Sequence, residues 1–491
     1  MIQGTSSSVG KSILVTALCR IFAQDGVKVA PFKAQNMALN SFVTRQGGEM
    51  GRSQVVQAQA AGVEPAVEMN PILLKPEADS RSQVVVMGKP WKTLSAGKYY
   101  RSKQKLWHTA AGALDRLCRD YELIIIEGAG SPAEINLKRD EIVNMHVARY
   151  LNAPVLLVGD IDRGGVFASL VGTLSLLDPE EKELTKGFII NKFRGDIKLL
   201  EPGLAMLAGL TENRPIVGVI PYIKDLRIAQ EDSVFLDSTR SIGSGGMVNI
   251  CVVRFPHISN YNDVDALTME DNVRVYYVES VKELGQPDAV ILPGTKTTLD
   301  DLRWLRSRGL DGAITALVAS GKSVAGICGG YQMLGAKVRD RFGVEGRCSE
   351  QPGFGLLPVE TEFEPEKTTA LTRARVLGGE GFLRGLEGAE VEGYEIHMGG
   401  CILMDGAGSL LRFENGRLDG SVSVGGRVWG TYLHGIFDTP AFRRAWLRSL
   451  GWQGKGSGEN LPDFQECEIN RLADHVRSNL DMSLLYEIIA L

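Results

Sequence analysis

Short apolar, β-branched runs alternate with amphipathic helical stretches along most of the chain. In the first half these runs are VKVAPF, LIIIEGAG, APVLLVGD, GFIINKF and PIVGVIPY. In the second half they are VNICVVRF, VRVYYVES, DAVILPG, SVAGIC and RVWGTYLHG. Such alternation predicts β-α units with parallel sheets, and polar residues at the ends of the runs are expected to face a ligand crevice. The predicted fold class is therefore α/β.

The pattern breaks once, in a stretch that ends with the Gly- and Ser-rich sequence SIGSGG. We predict two parallel-sheet α/β domains over residues 1–228 and 247–450, joined by a linker over residues 229–246. A C-terminal tail over residues 451–491 is predicted to be helical from Leu461 onward. The sequence leaves open whether this tail packs on the second domain or on a neighbouring molecule.

Charge, cysteine content and the length of apolar runs argue against several classes of protein. The formal charge is −5, and no long like-charge run occurs, so the sequence gives no support for a nucleic-acid or membrane partner. Seven cysteines include no C-x-x-C pair, which favours reduced thiols in a cytoplasm and argues against a zinc site. No apolar run approaches the ~20 residues needed to span a bilayer. We expect a cytoplasmic protein, whose oligomeric state the sequence does not reveal.

The segment GTSSSVGKS, residues 4–12, is typical of a phosphate-binding loop. Gly10, Lys11 and Ser12 supply the backbone donors, the positive charge and the magnesium-binding hydroxyl of such a loop. Thr5 occupies the position of the usual first glycine, and Gly4 lies one residue earlier. This loop resembles the variant found in dethiobiotin synthetase and its relatives. We predict that all five residues bind ATP. The first strand is very short, which is compatible with a natural start further upstream.

Polar residues at other strand ends are candidates for the same nucleotide site. Glu127 follows LIII and Asp160 ends the next strand, so both are predicted to bind Mg²⁺ together with Ser12. For Asp160 the alternative of a turn-capping carboxylate is equally open. Asn191 and Lys192 end the run GFIINK and are predicted to contact the nucleotide, with the asparagine amide reading the adenine ring.

The segment GICGG, residues 326–330, has the pattern of a cysteine nucleophile elbow. Glycines flank the nucleophile in such turns, and the following helix N-terminus favours the thiolate of Cys328. Backbone N–H groups of Gly329 and Gly294 are predicted to stabilise an oxyanion. His434 is the predicted base, and His397 is its competitor.

Together, GICGGYQMLG and TYLHG resemble the triad-type glutamine amidotransferases. The resemblance implies that Cys328 attacks the side-chain amide of glutamine and that His434 is its base. Members of this class usually carry a glutamate two residues after the histidine, where this chain has Ile436. The acid that orients His434 is therefore missing or comes from elsewhere. A glutaminase fold kept only as a binding module is the alternative.

Six further segments resemble the cobyric acid synthase family, namely PFKAQNMALNSFVT, EGAGSPAEINL, GDIDRGGVFASL, INKFRGD, ISNYNDVDAL and GYEIHMG. The resemblance implies ATP- and glutamine-dependent amidation of the b, d, e and g carboxylates of adenosylcobyrinic acid a,c-diamide. ATP would activate each carboxylate as an acyl phosphate, and glutamine-derived ammonia would displace the phosphate. The implied partners are thus a corrinoid substrate and glutamine.

The same resemblance suggests residues that border the substrate or the nucleotide: Lys33, Gln35, Asn36 and Asn40, with Arg163 as a carboxylate-binding candidate. A solvated loop and a structural salt bridge are the respective alternatives. Two other functions compete. One is the sister synthase that amidates the a and c carboxylates of cobyrinic acid. The other is a partition-type switch ATPase, whose signature lysine is replaced here by Ser6.

Overall fold

The computed structural model describes residues 1–77, 81–228, 241–242, 248–345, 349–405, 407–456 and 461–490. The strands of the first half are β1 (Ile2–Gly4), β2 (Val29–Phe32), β3 (Gln35–Met37), β4 (Ser41–Val43), β5 (Glu49–Gly51), β6 (Ile72–Glu77), β7 (Arg81–Val86), β8 (Lys89–Ser95), β9 (Leu123–Ile126), β10 (Val155–Asp160), β11 (Thr185–Phe193) and β12 (Ile216–Pro221). The helices are α1 (Lys11–Gln24), α2 (Arg52–Ala60), α3 (Ala96–Asp120), α4 (Met145–Leu151), α5 (Val166–Ser175), α6 (Pro179–Leu184) and α7 (Ile197–Leu210).

The centre of the first domain is a parallel arrangement of six strands. β1, β10, β11 and β12 form one sheet, and β2 pairs with β9. A parallel bridge between Ile2 and Glu127 joins the two groups, so the order is β2-β9-β1-β10-β11-β12. The carboxyl ends of β1, β9 and β10 therefore meet at one edge of the sheet, where the first loop and two of the predicted metal ligands lie.

An insertion between β2 and α3 was not predicted. It contains the four-stranded sheet β3-β6-β7-β8, in which β6, β7 and β8 are antiparallel, and the small hairpin β4-β5. Several of these strands have three residues and polar sequences such as QNM and EMG, so they lack a readable alternation.

The second half contains β13 (Ser241–Ile242), β14 (Val248–Val253), β15 (Val273–Val278), β16 (Ala289–Leu292), β17 (Ser323–Ile327), β18 (Lys337–Asp340), β19 (Ser349–Pro352), β20 (Val359–Val376), β21 (Glu390–Leu403), β22 (Leu411–Phe413), β23 (Leu418–Asp419), β24 (Ser421–Val422) and β25 (Val428–Thr431). Its helices are α8 (Val281–Leu284), α9 (Thr298–Ser307), α10 (Leu310–Ala319), α11 (Gly329–Leu334), α12 (Pro440–Ser449), α13 (Leu461–Arg477) and α14 (Met482–Ile489).

Two sheets build the second domain. The main sheet has the order β13-β15-β14-β16-β17-β25-β24, and its five central strands are parallel. The other sheet has the order β19-β18-β20-β22-β23, with the long strand β21 paired to β20. The predicted α/β class, with two parallel-sheet domains, is confirmed.

The C-terminal helices pack on the first domain, which neither predicted alternative anticipated. Ile469 and Leu472 of α13 share a core with Leu14 and Leu18 of α1. Arg477 also pairs with Asp25 at 2.7 Å. The chain thus returns to its N-terminal half after the second domain. The predicted linker lies outside the described residues except for residues 241–242. Across the described ranges, no helix combines the length and apolar character needed to cross a bilayer.

Candidate active sites

Cys328 lies in a sharp turn between β17 and α11. Its backbone has φ 52° and ψ −110°, a strained conformation for a residue with a side chain. Two glycines permit the turn: a Cβ on Gly330 would lie 1.9 Å from the Leu292 carbonyl oxygen, and one on Gly326 would lie 2.7 Å from Leu334 Cδ1. Any side chain at Gly330 would therefore collide with the backbone of β16. The elbow predicted from sequence is present, with its thiol facing a cavity between the domains.

His434 follows β25 and is held by an acid from a distant segment. Its Nδ1 lies 2.7 Å from Asp263 Oδ2, and the Gly435 N–H donates to Asp263 Oδ1 at 2.9 Å. Asp263 belongs to the 3₁₀ helix Tyr261–Met269. Because both carboxylate oxygens are engaged, the acid fixes the ring orientation and leaves Nε2 on the other side. Of the two possibilities left by the sequence, the orienting acid comes from elsewhere.

The electrostatics of this pair favour a charged imidazole. Burial alone would lower the pKa of His434, but the Asp263 carboxylate and the neighbouring Cys328 thiol raise it to about 10. The imidazolium is thus populated at neutral pH and is lost only as the pH rises through that value. A positive ring beside the sulfur favours the nucleophilic thiolate.

Replacing Asp263 should slow the reactions of the Cys328 thiol. In Asp263→Asn the pKa of His434 falls and the ring loses the carboxylate that orients it, so less of the correctly held imidazolium faces the sulfur. We expect glutaminase activity to fall by about 10²–10⁴-fold, as when the acid of a Ser-His-Asp triad is neutralised. Iodoacetamide alkylation of Cys328 at pH 7 should also slow, as followed by peptide mass spectrometry. Asp288→Asn, at the opposite end of the sheet, is the control. An alkylation rate in Asp263→Asn equal to that of the wild type would contradict the proposed role of Asp263.

Both predicted oxyanion glycines lie beside the thiol and imidazole. A Cβ on Gly294 would lie 3.1 Å from His434 Cε1, so the backbone of this glycine faces the ring. A Cβ on Gly329 would lie 2.6 Å from Thr295 Cγ2 and 3.2 Å from the Thr295 backbone nitrogen. The loop after β16 and the start of α11 are thus packed backbone to backbone, an arrangement that can direct N–H groups to one oxygen.

His397 is not arranged as the base. Its Nδ1 lies 2.8 Å from the Gly399 carbonyl oxygen, and its Nε2 lies 3.2 Å from Glu395 Oε1. Its ring stacks on Tyr432 with centroids 3.9 Å apart. Both ring nitrogens are therefore engaged away from the thiol.

The first loop has the geometry of an anion-binding turn. Gly10, with φ 100°, precedes α1 and places the N-terminus of this helix at the loop. Lys11 Nζ donates to the carbonyl oxygens of Ser6 at 3.0 Å and Gly130 at 3.1 Å. The lysine thus lies across the loop, where a phosphate would meet its charge. Gly4 ends β1, and the Thr5 N–H donates to the Val158 carbonyl oxygen at 2.9 Å.

Glu127 is the centre of a buried polar cluster next to this loop. Ser12 Oγ donates to Glu127 Oε1 at 2.8 Å, and Lys33 Nζ contacts the same oxygen at 2.9 Å. Gln57 Nε2 donates to Oε2 at 2.6 Å. Burial raises the pKa of Glu127, but Lys33 and these hydrogen bonds outweigh it and lower the pKa below its usual value. The carboxylate therefore stays ionised, as a magnesium ligand must be.

Asn191 forms a hydrogen bond with the backbone of the phosphate-binding loop. Its Nδ2 donates to the Val9 carbonyl oxygen at 2.8 Å, and its Oδ1 accepts from the Lys192 N–H at 2.9 Å. The amide is thus engaged within the protein at both ends, and its contact with adenine stays a prediction. A Cβ on Gly10 would lie 2.2 Å from Asn191 Nδ2, so the glycine lets the amide approach the loop.

Asp160 is ion-paired in this structure. Lys192 Nζ lies 2.8 Å from Asp160 Oδ2 and also donates to the Ser8 carbonyl oxygen at 2.7 Å. The Asp162 N–H donates to Asp160 Oδ1 at 2.9 Å. These contacts match the turn-capping alternative. Arg163 is mostly exposed and lies 3.8 Å from Asp160, so its salt-bridge alternative also stays open.

The other predicted substrate residues separate into two groups. Lys33 belongs to the Glu127 cluster, and Gln35 Oε1 accepts a hydrogen bond from the Tyr99 hydroxyl. Asn36 is buried and donates to Gln54 Oε1 at 2.8 Å. Asn40, in contrast, is fully buried at the domain interface, where its Oδ1 accepts from the Tyr261 N–H at 3.2 Å. The predicted role of Asn40 at the border of the substrate or the nucleotide stays a prediction.

Contacts across the interface join the two candidate sites. The Ser41 N–H donates to Asn260 Oδ1 at 3.1 Å, and Asn260 Nδ2 lies 3.5 Å from His434 Nε2. Phe42 of the first domain packs on Tyr394, which stacks on His434 with centroids 5.1 Å apart. Buried Glu49 of β5 binds Lys75 of its own domain at 2.6 Å and Lys367 of the other at 2.5 Å.

Sequence reasoning missed three residues in these sites. Asp263 and Asn260 lie in the segment ISNYNDVDAL, which was singled out, but nothing local indicated that they approach a histidine at the other end of the domain. Gln57 lies in the short helix α2 and carries no motif. Their roles depend on tertiary contacts that only the folded chain reveals.

Comparisons with known proteins cover both halves of the chain. Residues 1–234 match the model of the CobQ/CobB/MinD/ParA nucleotide binding domain, and residues 249–442 match the CobB/CobQ-like glutamine amidotransferase domain. A cobyric acid synthase of Dehalococcoides mccartyi strain CBDB1 is 51% identical, with 100% of this chain and 98% of that protein covered. Those of Pelotomaculum thermopropionicum and Sorangium cellulosum are also 51% identical, covering all of this chain and 96% and 98% of theirs, respectively.

Proposed function

This chain belongs to the cobyric acid synthase family, and we propose that it amidates the b, d, e and g carboxylates of adenosylcobyrinic acid a,c-diamide. Glutamine supplies the nitrogen and ATP supplies the activation. The observation that carries the proposal is the pairing, in one molecule, of a Cys328–His434–Asp263 triad with a phosphate loop joined to Glu127. The relatives match over the full length, which favours this function over the a,c-diamide synthase and the partition-type ATPase.

The glutaminase half-reaction uses groups that the fold brings together. Cys328 thiolate attacks the amide carbon of glutamine, and the N–H groups of Gly294 and Gly329 stabilise the oxyanion. His434 gives its Nε2 proton to the departing ammonia while Asp263 holds the ring. Water, deprotonated by the same imidazole, then hydrolyses the thioester to glutamate and restores the thiolate.

The amidation half-reaction uses the nucleotide site. The phosphates are bound by the loop residues Gly4, Thr5, Gly10, Lys11 and Ser12. Asn191 and Lys192 stabilise this loop through hydrogen bonds to its backbone carbonyl oxygens. Because the Ser12 hydroxyl and the ionised Glu127 carboxylate lie 2.8 Å apart, they form an oxygen pair that suits Mg²⁺, with Asp160 as a further candidate ligand. Bound Mg²⁺ would neutralise charge on the phosphates. A substrate carboxylate takes the γ-phosphoryl group, and ammonia replaces phosphate to leave an amide.

Substrate contacts are proposed on the same edge of the sheet. Lys33 contacts Glu127, Gln35 follows two residues later in β3, and Arg163 lies on the exposed loop after β10. Asn36 is proposed to order this region through its hydrogen bond to Gln54. Asn40 is proposed to stabilise the domain interface through its hydrogen bond from Tyr261. Amides and cations are suited to a substrate that carries both carboxylates and amides.

Product analysis tests the proposed function. Purified protein is supplied with glutamine, ATP and either adenosylcobyrinic acid a,c-diamide or cobyrinic acid, and products are identified by mass spectrometry. We expect four successive amidations of the diamide and none at the a and c positions of cobyrinic acid. Amidation of only the a and c positions would assign the sister activity. ATP hydrolysis with no corrinoid consumed would favour a switch ATPase.

A further inference from the structure

β8 and the first half of α3 carry a dense group of cations. Between residues 89 and 108 the chain contains no Asp or Glu. The cations on β8 and the first half of α3, called here the cationic rim, are Lys89, Lys92, Lys98, Arg101, Lys103 and Lys105. All are exposed except Lys103, which is half-buried. For a protein with net charge −5, this local excess of positive charge is unusual.

None of the six cations of the rim forms an ion pair with any residue in the part of the chain that the structure describes. Some surface cations elsewhere are paired: Lys138 of this domain lies 2.6 Å from Glu181, and Arg477 of the C-terminal tail lies 2.7 Å from Asp25. The rim is also partly ordered by aromatic rings, since Lys92 and Lys105 both lie over Trp91, at 5.1 and 5.6 Å.

The rim borders the nucleotide site. Tyr99, in the first turn of α3, donates its hydroxyl hydrogen to Gln35, two residues from the lysine that binds Glu127. On its other side, α3 packs against the 3₁₀ helix Lys138–Asp140, which follows Glu127 along the chain. Of the nearest acids, Glu141 accepts N–H groups of Val143 and Asn144 at 2.9 and 2.6 Å. Asp140 is the other acid close to Lys103.

Two exposed apolar side chains lie on the segments that flank this edge. Met37 ends β3, next to Gln35, and is 56% exposed. Ile135 lies in the loop between Glu127 and Lys138 and is 63% exposed. A corrin macrocycle has an apolar ring with carboxylates at its periphery. Apolar side chains near the reacting site, with cations at the margin, complement such a ligand.

On the basis of the proposed function, we propose that the cationic rim binds the carboxylates of the corrinoid that are not reacting. Each amidation converts a carboxylate anion into a neutral amide and removes one negative charge from the substrate. Attraction to the rim therefore weakens at every step, and the final product is the species that leaves most readily. The rim thus binds unfinished substrate more tightly than finished product, which favours completion of the four amidations.

Binding measurements with charge-neutralised variants test this inference. Equilibrium dialysis without ATP gives the Kd of the diamide, of the partly amidated intermediates and of the product. For Lys98→Gln/Arg101→Gln/Lys105→Gln we expect the diamide Kd to rise about tenfold at low salt, because each exposed charge pair contributes modestly. The effect should shrink with each amidation and should disappear near 1 M salt, where charges are screened within ~3 Å.

Controls separate the possible outcomes. Lys186→Gln/Lys198→Gln/Lys282→Gln removes the same charge from exposed positions elsewhere and should leave every Kd unchanged. Lys89→Gln/Lys92→Gln/Lys103→Gln tests the other half of the rim if the first variant does not fold. Wild-type protein that fails to amidate the diamide would reject the proposed function itself. Amidation by wild type, with unchanged corrinoid Kd in the rim variants, would overturn the inference, even if their affinity for anionic vesicles or DNA fell.

Discussion

Cys328→Ala is expected to abolish glutamine-dependent amidation while leaving ammonia-dependent amidation at the wild-type rate. Without the sulfur no thioester forms, so no ammonia is released from glutamine. The nucleotide site is in the other domain and keeps its loop, its lysine and Glu127. The loss should exceed about 10³-fold, since removal of a nucleophile leaves only residual catalysis by the oxyanion donors. Glutamate release and amide formation, measured with glutamine or ammonium chloride, provide the readout.

The control for this variant is Cys467→Ala, which removes an exposed thiol from α13 and should behave as wild type with both nitrogen sources. Glutamine-dependent amidation that survived in Cys328→Ala would mean that another group attacks glutamine. Loss of both reactions together would show instead that the substitution damages the domain interface.

Lys11→Ala is expected to impair the nucleotide site while leaving the reactivity of Cys328 unchanged. Both glutamine- and ammonia-dependent amidation should fall by at least about 10²-fold, because the loop loses the only side-chain charge that it directs at the phosphates. Alkylation of Cys328 by iodoacetamide should stay at the wild-type rate, since the triad lies in the other domain. Amide formation, ADP release and alkylation are measured on the same preparation.

Lys186→Ala is the matched control, because this lysine is exposed on β11 of the same domain. It should leave amidation unchanged. If Lys11→Ala retained full amidation with ammonia, the loop would not be the site of ATP binding, and the proposed division of labour between the domains would be wrong.

The parts of the fold that the sequence predicts are those whose signal is local. The long apolar runs gave ten of the strands, because a buried parallel strand must be apolar on both faces. The elbow at Cys328 could be predicted because the glycines that such a turn requires lie within three residues of the cysteine in sequence. The strands β3, β4 and β5 were missed because each has only three residues, too few to show a period of two.

Site residues divide in the same way. His434 was found through the motif TYLHG, whereas its acid, Asp263, lies 171 residues earlier and is brought to it by the packing of a 3₁₀ helix against the loop after β25. Asn191 ends a strand and was predicted to contact the nucleotide, but the direction of its amide depends on the approach that Gly10 permits. The packing of the tail on α1 depends on contacts such as that between Arg477 and Asp25, which are 452 residues apart in sequence, and no local pattern encodes it.

The central claim is that ammonia liberated at Cys328 is consumed at the nucleotide site before it reaches solvent. Glutamine labelled with ¹⁵N in its amide, supplied with the diamide, ATP and an excess of unlabelled ammonium chloride at pH 7, tests this directly by product mass. We predict that nearly every new amide carries ¹⁵N, with one glutamate formed per amide. New amides that carry mostly ¹⁴N, in proportion to the external ammonium, would contradict it.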